Sequence, residues 1–221
     1  MSELARGKIP KDRPGPEGGK RDTNRKERTD ALLKAGVALF LDSGIEQASI
    51  DDIARAAGMA KGNFYRYFDD KGALVAAILL PLAEGFRTHM RRCEEALVAA
   101  EHPDQVTVAY ATLSLALGVL AQQELDAFRL YLQERRAPCT PSRAAVSELA
   151  SEVETSAIAI SVFAKEHGVI DVDDPAVSAL AVVGAAEQLA LHRLRGELTS
   201  DDVTVVRVLV KMILDGVRKT A

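Results

Sequence analysis

From Thr29 onward, apolar positions recur at spacings of three and four, the period of helices buried along one face. Leu32, Leu33, Val37, Phe40 and Leu41 form the first stripe. Asp42-Ser43-Gly44 ends it, with Gly44 placed for a left-handed conformation. Ser49 is suited to cap a second helix, and Asp52 three residues on gives an approximate capping box. Ile50, Ile53, Ala54 and Ala57 form its inner face, and Gly58 breaks it. A third short helix is predicted from Ala60 to Phe68. A fourth starts after Asp69-Asp70, over Lys71 to Ala100, with a kink expected at Pro81. Further helices are predicted over 104–121, 124–136, 141–167, 174–195 and 200–219. His102-Pro103, Ala137-Pro138, Gly168 and Gly196 separate them. Asp174 before Pro175 reads as a cap with proline at the first helical position, and Ser200 as another cap. No alternating run argues for a sheet. The pattern predicts an all-α fold of about nine helices.

Aromatic residues are 5% of the 221 and tryptophan is absent, so the core must be built from Ala, Leu, Val and Ile. Hydrophobic residues at 48% and charged residues at 27% exclude wholesale disorder, collagen-like sequence and a disulfide scaffold. Cys93 and Cys139 are far apart and fit a reducing cytoplasm. Met1 to Arg28 has no apolar core and does not read as a secretory signal. The apolar run Ala73 to Ala83 contains Pro81 and is too short to span a bilayer, so no membrane partner is expected. Gly-rich phosphate loops, GxSxG and HExxH are missing, which argues against an enzyme and against a cofactor. His89 and Cys93 share a helix face, but two ligands without partners do not make a metal site.

The net charge of −4 gives no hint of a nucleic-acid partner until the chain is divided. Residues 1–28 hold nine basic and five acidic side chains, a net of +4, and the remainder carries −8. The stretch is rich in Pro, Gly and charge, and 1–27 reads as a flexible basic arm. It is suited to reach phosphates or the minor groove, or to serve as a solubilising tail. Residues 28–75 then form one domain and 76–221 a second. Within 29–75 five basic residues face seven acidic ones, so placement rather than bulk charge must carry any contact with DNA.

The segment 49–68 reads as two short helices joined by a tight glycine turn, a helix-turn-helix. Ile50, Ile53, Ala57, Met59, Phe64 and Phe68 can wedge the pair against the first helix. The outer face of the second helix is then Lys61, Gly62, Asn63, Tyr65, Arg66 and Tyr67. Cationic, amide and phenolic groups suit base edges and phosphates in a major groove. Asn63 can pair with adenine and Lys61 can donate to guanine, while Gly62 lets the backbone approach. Arg66 suits a phosphate or a solvated face.

These residues resemble the DNA-binding domain of the TetR family of bacterial repressors. The resemblance rests on Leu39-Phe40, Gly44, Ile53-Ala54, Ala57-Gly58, Lys61-Gly62, Tyr65, Phe68 and Lys71. It covers about the first third of the chain. Ala60 stands where the family usually has Ser or Thr, Asn63 where a small residue is common, and Tyr67 where His is frequent. The resemblance implies phosphate contacts from Ser49, Tyr65, Tyr67 and Lys71. It implies that Lys61, Gly62 and Asn63 lie nearest the bases.

The helices predicted at 174–195 and 200–219 are apolar on more than one face. That predicts burial on two sides, one of them against a twin subunit, with Gly184, Ala185 and Ala186 allowing close packing. The resemblance implies the same interface. It also implies an effector pocket between helices four and seven, with Phe86, Met90, Tyr110, Leu113, Leu117, Phe128, Tyr131 and Phe163 as candidate lining. Glu187 and His192 interrupt an apolar helix and suit either an interface hydrogen bond or a polar ligand group. The expectation is a cytoplasmic, nucleoid-associated homodimer that binds near-palindromic double-stranded DNA. A small hydrophobic or amphipathic effector would release it. A ligand-independent architectural or partner-recruiting protein is the alternative.

Overall fold

A computed structural model describes residues 19–201, 204–205, 207–209 and 211–212. The described residues are all-helical, with no strand: α1 (Lys20–Ser43), α2 (Ile50–Ala56), α3 (Lys61–Phe64), α4 (Lys71–Val98), α5 (Pro103–Gln123), α6 (Leu125–Glu134), a 3-10 turn at Pro141–Arg143, α7 (Ala144–Glu166) and α8 (Pro175–Leu194). Residues 204–205, 207–209 and 211–212 are also helical.

The boundaries follow the expected caps, with three differences. The first helix begins at Lys20, so residues 20–27 of the expected arm are helical. Residues 1–18 of that arm lie outside the described residues. The third helix closes after Phe64, short of the expected Phe68, and the chain continues in turns through Tyr67; Ala60 at its start offers no side-chain cap. Thr204 N–H donates to the Asp201 carboxylate at 2.7 Å, so Asp201 takes the cap expected of Ser200. The α8 cap forms as the sequence predicts, with Ala176 N–H donating to Asp174 Oδ1 at 2.8 Å.

Two glycines matter here for different reasons, one a close helix crossing and the other a left-handed turn. Gly36 lies where α1 crosses α4, and a Cβ there would sit 2.7 Å from Leu74 Cδ2. Gly58 turns the chain between α2 and α3 with φ of 69°, a conformation that L side chains rarely adopt. The main core joins both expected domains. It runs from Leu32, Phe40 and Ile45 through Ile53, Phe64 and Phe68 to Leu130, Val146 and Leu149. The long α4 passes through Pro81 unbroken and contributes Leu74, Val75, Ile78, Leu79, Leu82, Phe86 and Met90 to that core. A smaller cluster of Cys93, Leu97, Val106 and Ala109 lies between α4 and α5.

By length and composition, α4, α5 and α8 are each long and apolar enough to cross a membrane, although the run Ala73 to Ala83 within α4 is by itself too short. The face that α4 turns inward is spent on the core, whereas α5 and α8 leave apolar side chains uncovered: Val108, Leu115 and Val119 on one, Val177 and Leu180 on the other.

Phe64 is fully buried and holds α3 by a single ring. Replacing Phe64 with Ala is expected to lower unfolding stability by about 3–5 kcal/mol, measured by denaturant titration.

Candidate nucleic-acid interface

The geometry of the site starts at the corner between α1 and α2. Gly44 ends α1 with φ of 86° and its N–H donates to Phe40 O. Ser49 then caps α2: its Oγ accepts from Asp52 N–H at 3.1 Å and donates to Asp52 Oδ2 at 2.6 Å. One half of the capping box forms, Asp52 N–H to Ser49 Oγ, while the Asp52 carboxylate takes the Ser49 hydroxyl proton instead of its backbone N–H, so a phosphate would have to compete with Asp52 for that proton. Arg55 neutralises the acidic first turn of α2 through Asp51 at 2.6 Å and Asp52 at 3.1 Å. All three side chains are well exposed, so these pairs add little to stability.

Gly58 and the Met59 N–H, which donates to Ala54 O at 2.8 Å, reverse the chain into α3. The helix presents Lys61, Gly62 and Asn63 to solvent while Phe64 points inward. A Cβ on Gly62 would meet nothing within 4 Å, so the protomer's own packing does not require glycine there. Tyr65 is 49% exposed and stands edge-on to Phe64, ring centroids 5.6 Å apart. Tyr67 is half-buried and packs against the main core, which divides it between packing and surface. Arg66 is exposed on the same short segment.

Lys71 is placed differently from the rest. Its Nζ donates to Glu46 O at 3.1 Å and Ala48 O at 3.2 Å. Two of its three donors therefore tie the start of α4 to the α1–α2 corner, leaving one for a phosphate. The structure thus brings Lys61, Gly62, Asn63, Tyr65 and Arg66 together on one exposed segment. It uses Ser49 and Lys71 to build the support beneath.

The expected effector pocket is distributed otherwise. Phe86, Met90 and Tyr131 are buried in the main core, with Leu113, Leu117 and Phe128 packed against it. Tyr110 and Phe163 pack on the smaller cluster. A groove of about 560 Å³ lies between α4 and α5, bordered by His89, Cys93, Ala96, Val108, Thr112 and Leu113. Leu113 is the member of the expected set that reaches it. Burial, reinforced by the neighbouring Glu94 charge, pushes the Cys93 thiol up to about 11. Glu187 is turned inward, accepting from Tyr131 Oη at 2.9 Å and pairing with Arg135, so it is a link between α6 and α8. His192 pairs with Glu197 at the end of α8.

Sequence reasoning missed the groups that join the two domains: Glu46, Gln133, Glu134, Thr140 and Arg143. They lie up to 97 residues apart, and no local spacing marks them.

The fold and this exposed segment define a helix-turn-helix DNA-binding protein with a helical carboxy-terminal body. Residues 32–78 match the family described as "Bacterial regulatory proteins, tetR family". A 60-residue stretch is 42% identical to the uncharacterized HTH-type transcriptional regulator YvdT of Bacillus subtilis, covering 27% of this chain and 29% of that one. The HTH-type transcriptional repressor BepR of Brucella suis is 25% identical over 136 residues, 61% of this chain and 62% of BepR. The matches thus span less than two thirds of these curated relatives. The crystal structure of NalD, the secondary repressor of the MexAB-OprM multidrug efflux pump in Pseudomonas aeruginosa, shares the fold with a TM-score of 0.68 and 19% identity. The alignment covers 90% of this chain and all of NalD.

Lys71→Met is expected to lower the stability of the DNA-free protein by about 1–2 kcal/mol through loss of the carbonyl contacts. Thermal melting without DNA measures it, and an unchanged midpoint would assign Lys71 to the DNA surface alone.

Proposed function

We propose that the protein is a homodimeric, sequence-specific DNA-binding repressor that leaves a near-palindromic operator when a small hydrophobic or amphipathic molecule binds. It acts in the cytoplasm on the nucleoid. The observation that carries the reading is α3, which is fastened by buried Phe64 and shows solvent a cation, a bare backbone and an amide in succession. Those groups suit a major groove, where Lys61 donates to guanine and Asn63 pairs with adenine. Open space above Gly62 supports a close approach of backbone to DNA. Exposed Arg25, Lys26 and Arg28 near the start of α1, and the basic stretch before it, add phosphate contacts.

The apolar face of α8 supports the dimer. Val177 is 65% and Leu180 44% exposed, one turn apart, and a Cβ on Gly184 would meet nothing within 4 Å. The helix expected at 200–219 would complete the interface; its Val203, Val206, Val210, Ile213, Leu214 and Val217 lie outside the described residues. The α4–α5 groove supports the effector. One end of α4 starts beside α3 and the other walls the groove, so an occupant that shifts α4 also shifts the recognition segment. A coupling of about 1–3 kcal/mol is the usual scale for such linkage.

Two measurements test the reading. Lys61→Ala combined with Asn63→Ala is expected to abolish a specific footprint on DNA selected by the wild-type protein, with the dimer intact. A footprint left unchanged would remove α3 from recognition. Leu180→Glu is expected to raise the dimer dissociation constant at least about tenfold, read by sedimentation, since a central apolar contact carries most interface energy.

A further inference from the structure

We propose that residues 133–143 form a clasp that sets the angle of the DNA-binding domain, with Glu134, Arg143 and Gly72 as positioning residues for half-site spacing. The inference rests on the function proposed above and adds to it how the two recognition segments are held in register.

The clasp grips the DNA-binding domain at two places. At the α1–α2 corner, Glu134 is 5% exposed and its Oε1 accepts from Ile45 N–H at 3.1 Å. Its Oε2 accepts from Arg143 Nε at 2.6 Å. Arg143 Nη1 reaches Glu46 Oε1 at 3.4 Å, and Thr140 Oγ1 donates to the same oxygen at 2.5 Å. Gln133 Nε2 donates to Phe40 O at 3.0 Å, the carbonyl that also receives Gly44 N–H. At the start of α4, Gly72 faces the 3-10 turn, and a Cβ there would lie 2.7 Å from Pro141 O.

The neighbouring residue faces the other way. Arg135 has a side chain 10% exposed, pairs with Glu187 of α8 and meets Glu154 of α7 at 2.9 Å. One turn of α6 is therefore fixed at once to the α1–α2 corner and to the helix proposed for the dimer interface. A buried carboxylate keeps its partners, because separation leaves an unpaired charge in low dielectric. The clasp thus transmits position rather than yielding. Adding one base pair between half-sites moves one of them by about 3.4 Å and turns it by about 34°. A rigid clasp resists that displacement and a loosened one absorbs it.

The test uses the full chain and duplexes selected by the wild-type protein from a random pool, with the central spacer then changed by one or two base pairs. Wild type is expected to prefer its own spacing by at least about tenfold. Glu134→Gln puts an amide donor against Arg143, and Gly72→Ala displaces the turn without touching the charges. Both are expected to reduce the preference to below about threefold. Base discrimination inside each half-site and the salt slope should stay at wild-type values. Two results would overturn the clasp: variants that keep the wild-type spacing preference, or variants that lose every spacing in step with a lowered melting temperature. A wild-type chain that selects no duplex would instead defeat the functional reading beneath it.

Discussion

The carboxylate of Glu134 is the constraint on which the arrangement of the protein turns. A buried carboxylate is tolerated where donors surround it, and here a backbone N–H, a guanidinium and an amide do so. The N–H belongs to Ile45, which is itself fully buried. The end of α6 and the corner of α1 and α2 cannot separate without stranding that charge. Because α2 and α3 hang from this corner, the exposed recognition segment inherits its position from a residue 89 places away.

The helix-turn-helix has its own internal order. Ser49 and Asp52 satisfy each other at the start of α2, Gly58 makes the reversal, and Lys71 closes the corner from below. Polar groups that resemble DNA contacts by position are thereby engaged in the support. Lys61, Gly62, Asn63, Tyr65 and Arg66 stay on the outer surface. This division suits a domain with more acidic than basic residues, where a few well-placed groups must do what bulk charge does not.

The carboxy-terminal helices show how a chain poor in aromatics builds a body. Leucine, valine and alanine fill most of the main core and of the smaller α4–α5 cluster, and the same residue types spill onto the faces of α5 and α8. Apolar faces of that kind call for covering. For α8 a twin subunit supplies it in the proposed dimer. Helical period alone did not separate pocket lining from core, because both are apolar at the same spacing. Phe86 and Met90 went to the core, while His89 and Cys93, on the adjoining strip of α4, border the groove.

The sequence by itself determined the helical class, the caps at Ser49 and Asp174, the start of α4 after Asp69-Asp70, the turn at Gly58 and the outward set at Lys61, Gly62, Asn63, Tyr65 and Arg66. Each depends on groups within a few residues of one another, where period and capping chemistry act. It also misjudged local features: α1 reaches back to Lys20, and Asp201 rather than Ser200 caps the last helical stretch. The tertiary structure alone decided that Lys71 braces a loop, that Glu187 turns inward, and that Glu134 and Arg143 bind the two halves. Those outcomes depend on which helices cross. A charged side chain reads the same in sequence whether it meets water, phosphate or a distant backbone N–H.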